Sequence, residues 1–545
     1  MCRRAAAGCC WGALAGNRAY DRRHPPRGRD GRDVRREASI SVLTAPPHPS
    51  RRTVLRGLLA LVVAAVAVVG QHVPLAAQSA SLGEENSWLR IQNVGGRAAT
   101  VDVTLYDTAG SRVAVAGCPS GGVCPAIAPG VGWSFFQQGL EAVQVGYRGA
   151  ALVKSDQPFV ALLARDAFKG GRFQIGGDTL RLGRGTAGMA FPIVQNTDQW
   201  MSRISVQNTS DRPACVELRY WTQGQATPVA IDPPSRAADC PQGGAPVAPH
   251  ASLVRDERNF VAPFGFDGAA TVRTYDTASG IRAGDQTLTS TIETRERAGP
   301  GLASSRGIAP DEQNRVVALP LVERNSTVSG TTWNTRFRIV NANPAASNEV
   351  TLRYDGVTAS GDRVEIEHKM SVTGVLTCDQ RDRGCLPADR DLPDTFTGSV
   401  RLQSIEPIAV YVQRASAAGG LADYRGFTVS EASRQVVLPI LDKSFGPFGE
   451  STGWNSWFRV VSFDGSPSYV RVIYYSRQNP TGQLRDPINA ANGVTVLQNA
   501  DRNLPEGWVG SAIVISDQPV IVLVGIESAV FKGDSAMLYN GVGFD

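Results

Sequence analysis

The sequence predicts an all-β protein: four tandem β-sandwich domains after an N-terminal signal or leader segment. Three observations carry this. The 545 residues include 57 Gly and 33 Pro set among short apolar stretches, the texture of many short strands joined by turns. Three motifs recur in the same order, four times along the chain, and internal repetition is the first signature to seek in a chain of this length. The glycines of the last motif, Gly149, Gly268, Gly398 and Gly510, fall 119, 130 and 112 residues apart. That is too long for a solenoid coil and suits sandwich domains of about 100 residues plus loops.

The first motif opens a strand with the pattern W-x-[ST]-x-φ-x-φ-x-[NS], φ being apolar. Trp200 to Asn208, Trp333 to Asn341 and Trp454 to Ser462 fit it, and Ser87-Trp88-Leu89-Arg90-Ile91-Gln92-Asn93 is a partial copy with its Trp shifted. Upstream of the last three stand Phe191-Pro192-Ile193-Val194, Leu319-Pro320-Leu321-Val322 and Leu438-Pro439-Ile440-Leu441, marking repeated domain starts. The second motif is an alternating strand: Val101, Val103 and Leu105, then Val216, Leu218 and Tyr220, then Val350, Leu352 and Tyr354, then Val470, Val472 and Tyr474. A period of two puts these side chains on one face. The third is aromatic-x-Gly, at Tyr147, Phe266, Phe396 and Trp508, followed by a predicted strand–turn–strand around Ser155-Asp156-Gln157-Pro158, Ser404-Ile405-Glu406-Pro407 and Ser516-Asp517-Gln518-Pro519, where Asp and Pro suit a turn. The predicted domains span 81–188, 189–313, 314–433 and 434–545. The Gly-rich Gly176–Gly188 and the polar Arg295–Asn314 read as linkers.

Residues 57–70, GLLALVVAAVAVVG, follow a basic segment and precede small residues, the order of a secretory signal. The predicted export segment is 50–80, cleaved or kept as an anchor, although the run is short of the roughly 20 residues of a spanning helix. Ser50 to Arg56, with Arg51 and Arg52, resembles a twin-arginine export signal; a general secretory signal is the other route open. Residues 1–49 read as a disordered leader or an over-extended gene start. Residues 1–56 hold thirteen Arg against four acids, so the +5 of the whole chain belongs to the leader and the rest is net acidic. A body without a basic stripe predicts no nucleic-acid partner. Membrane contact is expected only through an uncleaved leader.

Beyond the leader six cysteines fall as local pairs, Cys118/Cys124, Cys215/Cys240 and Cys378/Cys385. An even, paired set predicts disulfides and an extracytoplasmic compartment. Repeat length, strand alternation and leader together resemble tandem immunoglobulin-like or fibronectin-III-like repeats of bacterial secreted or cell-surface proteins. The resemblance covers residues 81–545 and implies spacer, adhesive or glycan-binding roles by analogy, since fold does not settle function.

The chemistry-bearing residues are few. His250 and His368 are the only histidines past the leader, and no nucleophile-elbow, zinc-protease or Walker pattern occurs, so no catalytic residue, no cofactor and no enzyme activity is predicted. Asp379, Asp382, Asp389, Asp391 and Asp394 crowd one segment. They are candidate hard-oxygen ligands for calcium, or a solvated loop neutralised by Arg381, Arg383 and Arg390. Trp133, Trp221 and Trp457 lie outside the repeat pattern and are candidate stacking surfaces for sugar rings. The expected function is a noncatalytic secreted or cell-surface protein for adhesion, envelope structure or ligand display, with an envelope component, polysaccharide or protein as partner. The alternatives are a carbohydrate-binding module array and an extracellular hydrolase with an unrecognised carboxylate site.

Overall fold

The computed structural model describes residues 85–545 except for short stretches at 138, 139, 141, 170, 171, 182, 184, 278–281, 283, 284, 286, 329, 447–452, 486, 491, 492, 529 and 545. The leader, the export segment and its Arg51 and Arg52 lie outside the described residues. All described residues belong to one compact unit, His72–Asp545.

Alternation becomes burial as the period of two demands. Val101, Val103 and Leu105 are buried while Asp102 and Thr104 are half-exposed, and Val350, Leu352 and Tyr354 repeat the pattern. Strands with one apolar face must cover it; two facing layers do so in each repeat, as separate sheets in repeat one and as the two halves of one nine-stranded sheet in each of the others.

In the first repeat one sheet runs in the order Gly132–Phe136, Glu85–Asn93, Phe159–Lys169, Arg172–Thr179, all antiparallel. The same order recurs as Ser252–Arg255, Trp200–Asn208, Leu288–Glu296, Leu302–Ser305. It recurs again as Val375–Asp379, Thr331–Asn341, the second half of Phe396–Ser416, Leu421–Arg425. The fourth copy is Val494–Leu497, Trp454–Ser462, the second half of Trp508–Ser528, Ala536–Asn540. The facing sheet of the first repeat is Arg112–Cys118, Val101–Asp107, Gly149–Ser155. In the other three it gains one more strand beside the aromatic-x-Gly strand: Gly188–Asn196 on Phe266–Tyr275, Asn314–Arg324 on the first half of Phe396–Ser416, and Ser433–Lys443 on the first half of Trp508–Ser528. These added strands carry the Phe/Leu-Pro motifs.

Two expectations are corrected. The third motif is a turn between strands only in repeat one, where Gly149–Ser155 gives way to Phe159–Lys169. In repeats three and four Ser404–Pro407 and Ser516–Pro519 lie within unbroken 21-residue strands that leave one sheet and join the other. The aspartates of this motif pin a neighbouring strand: Thr100 N–H donates to the Asp156 carboxylate (2.7 Å) and Tyr469 N–H to that of Asp517 (2.8 Å). Nor are the two Gly-rich and polar segments linkers. Gly176 and Gly177 sit in Arg172–Thr179, and a Cβ on Gly176 would come within 2.8 Å of the Ser304 backbone nitrogen. Leu302–Ser305 is buried throughout. Glycine is there because two strands approach too closely for a side chain.

That approach organises the molecule. Arg172–Thr179 packs on Leu302–Ser305, which packs on Leu421–Arg425, which packs on Ala536–Asn540, which returns to Arg172–Thr179. One equivalent strand from each of the four repeats therefore joins a closed cycle. Three of the four apolar cores run on into the next repeat: Val340, Val375, Ala409 and Tyr411 join the core of repeat two, Ile521, Leu523 and Leu538 that of repeat three, and Trp88, Leu162 and Phe173 that of repeat four. The core of repeat one includes no residue of repeat two.

Candidate functional site

The expected disulfides Cys118–Cys124, Cys215–Cys240 and Cys378–Cys385 all form. The Cys378–Cys385 loop borders an open hollow of about 900 Å³. Arg324, Arg383, Asp379, Asp382, Asp391 and Leu376 contribute to its wall. A second hollow of about 460 Å³ has Glu367, His368, Asp389 and Arg390 in its lining.

These grooves divide the five aspartates. Asp379 is held by Arg381 at 2.8 Å and Asp391 by Arg324 at 2.9 Å. Asp382 and Asp394 are exposed, and Asp389 lies in the other hollow. Calcium needs six or more oxygens around one point; among the described residues no three His, Cys, Asp or Glu side chains are grouped to hold a metal. The arginines take the carboxylates instead, so the site is a mixed-charge groove. His250 is elsewhere, stacked on Tyr106 at 4.6 Å with its Nε2 2.9 Å from the Asp211 carboxylate.

The three candidate stacking tryptophans already have partners within the protein. Trp221 is 4 % exposed and its Nε1–H donates to Thr271 Oγ1 at 3.0 Å, which corrects the expectation of an open platform there. Trp133 is half-buried, with the Arg477 guanidinium over its ring at 3.9 Å. Trp457 is half-buried and donates to Glu527 at 3.0 Å. A guanidinium over an indole face is favourable in itself, and a sugar would have to displace it. Of the recurring tryptophans, Trp333 and Trp454 are buried and Trp200 half-buried.

The strongest concentration of buried polar chemistry was not singled out from the sequence. At the centre of the cycle the Arg425 Nε–H donates to Asp178 at 3.1 Å, and its other arm pairs with Glu431 at 3.0 Å. Asn540 exchanges two hydrogen bonds with the Arg425 backbone. The Thr179 hydroxyl donates to the Asn540 carbonyl at 2.8 Å, and Arg306 Nε–H to the Thr179 carbonyl at 3.1 Å. Arg306 also holds Glu312 through two hydrogen bonds, and the Tyr411 hydroxyl donates to the Arg306 carbonyl. Every repeat supplies a member. Burial alone would lower the Arg425 pKa, but Asp178 and Glu431 outweigh it and hold the guanidinium charged. Burial likewise pushes Glu312 up, and Arg306 overrides it, bringing Glu312 down to about 2. Nearby Asp423, wholly buried and accepting from Ser305 Oγ at 2.8 Å, is pushed up to about 7 by burial.

A second set of arginines joins the repeats. Arg90 donates to the carbonyls of Pro439 (2.9 Å) and Gly510 (3.2 Å), Arg459 to that of Pro320 (2.7 Å), and Arg338 to that of Gly268 and to Asp267. Each stands between the two apolar positions of the strand-start motif. Repeat two has Ser205 in that place. A recurring Arg at an inward-read strand was the available signal, because arginine is the side chain suited to buried multi-donor contacts.

No family profile matches the chain, and no curated protein matches it. Among solved structures, the tetra-tandem repeat in the extending region of a large adhesion protein aligns at 14 % identity over 82 % of this chain and 93 % of that one. Its TM-score is 0.08, too low for the likeness to bear on function.

Proposed function

We propose that this chain is an exported, noncatalytic scaffold that acts at the cell surface or in the medium, holding loops of a rigid body outward for adhesion, envelope structure or ligand display. The observation that carries the reading is where these inward-facing acids are. Asp178, Glu312, Asp423 and Glu431 are committed to hydrogen bonds and ion pairs at the junction of four repeats. Shifted acids lining a cleft would suggest chemistry; the two shifted here, Glu312 and Asp423, lie at the junction instead and suggest assembly. The three disulfides suit an oxidising compartment. The groove beside Cys378–Cys385, carrying both signs of charge, is the surface best formed for a polar partner.

Fractionation of the native cells, probed with an antibody against residues 434–545, tests the reading. The protein is expected in the envelope or the medium. A signal confined to the cytoplasm contradicts export, and turnover of polysaccharide or peptide substrates by the purified chain contradicts a noncatalytic role.

A further inference from the structure

The facing sheet of repeat one ends at Gly149–Ser155, which pairs on one side with Val101–Asp107 and has no described strand on the other. The equivalent strands of repeats two to four are covered there by the strands bearing Phe191-Pro192, Leu319-Pro320 and Leu438-Pro439. The uncovered edge shows in the burial. Ala270, Val400 and Ala512 are buried to 0, 1 and 0 % exposure, whereas Ala151, at the same distance from the motif glycine, is half-exposed. Repeat one is also the one repeat whose core includes no residue of the next. An open strand edge presents unpaired backbone groups and calls for a cover.

The sequence contains one. Val73-Pro74-Leu75-Ala76-Ala77-Gln78 repeats the form of Phe191-Pro192-Ile193-Val194-Gln195-Asn196 and of Leu438-Pro439-Ile440-Leu441-Asp442-Lys443. It stands 20 residues before Asn93, the end of the strand-start motif, as Phe191 stands 17 before Asn208, Leu319 22 before Asn341 and Leu438 24 before Ser462. We propose that Val73–Gln78 is the missing strand of repeat one, docking on the free edge of Gly149–Ser155. The register follows from the three existing pairs. Phe191 faces Ala270, Leu319 faces Val400 and Leu438 faces Ala512, while Val194, Val322 and Leu441 face the motif glycines. Val73 then stands opposite Ala151, and Ala76 opposite Gly149. The mature protein must keep these residues, so any signal cleavage falls before Val73. This inference does not depend on the proposed function.

The test uses the full chain exported from a bacterial host, carrying Val73→Cys with Ala151→Cys. Directly opposed residues bring their Cβ atoms to about 5 Å, within reach of a disulfide. Non-reducing peptide mapping should find the two introduced thiols joined to each other, and the pair His72→Cys with Ala151→Cys should show loss of that link. In the unsubstituted protein the mature N-terminus should precede Val73, and the amides of Gly149–Ser155 should exchange as slowly as those of Phe266–Tyr275. A mature chain starting after Gln78, edge amides exchanging like loop amides, or Ala151→Cys alone linking two chains would each overturn the proposal, the last in favour of a second copy at the edge.

Discussion

Arg425 shows what a single buried side chain decides. Its guanidinium is 3 % exposed and answers two carboxylates from different parts of the chain. Removing one partner of a buried pair leaves an uncompensated charge, a loss of about 3–5 kcal/mol. Arg425→Met should therefore lower unfolding free energy by about that amount in a denaturant titration, with Asp178→Asn in the same background recovering part of it. The acids around it titrate in opposite senses. Glu312 falls from its ordinary 4.5 to about 2 when folded, so its contribution is full above pH 4.5 and is lost as pH drops toward 2. Asp423 rises from 3.8 to about 7. The folded state then holds a proton the unfolded chain has released, and stability declines as pH climbs from about 4 to about 7. Melting temperature against pH should have a shallower acid-side slope in Glu312→Gln and a shallower pH 4–7 slope in Asp423→Asn, since Glu85 shifts as Glu312 does and Asp166 and Asp442 as Asp423 does. The cysteine pairs were legible because parity and spacing identify them. The axial residues were not, since Thr179, Arg306, Arg425 and Asn540 hold one register position of the four repeats with three different residue types, and only the closed cycle brings them together with Asp178.

At the scale of the element, the aromatic-x-Gly motif has a steric cause. A Cβ on Gly268, Gly398 or Gly510 would collide with the carbonyl oxygen of Trp221, Asp355 or Tyr475 and with the ring two residues earlier. Each ring folds over its glycine against the neighbouring strand. Gly510→Ala should accordingly cost about 1–3 kcal/mol, the range for overpacking, read as a lowered denaturation midpoint at unchanged slope. Strand identity was legible from the period of two, and the repeats from their motifs. The turn expected at Ser516–Pro519 was not a turn because propensity speaks for one residue at a time. The strand is carried through by pairing with Tyr469–Tyr475 before that point and Trp454–Ser462 after it. The segments taken as linkers misled for a related reason. Glycine marks both flexible connections and close strand approach, and a sequence does not distinguish them.

At the scale of the molecule, the repeats are not beads on a thread. Three cores continue from one repeat into the next, Arg90 of repeat one reaches the carbonyls of Pro439 and Gly510 in repeat four, and one strand from each repeat closes the cycle. Independent domains would each unfold on their own, whereas elements sharing buried contacts unfold together. The four sandwiches therefore form one cooperative body, which scanning calorimetry of the oxidised, purified protein can test. A single transition is expected, with agreeing calorimetric and van't Hoff enthalpies, moving as a whole to lower temperature in Arg90→Ala. Several resolved transitions, with Arg90→Ala shifting only one of them, would contradict it.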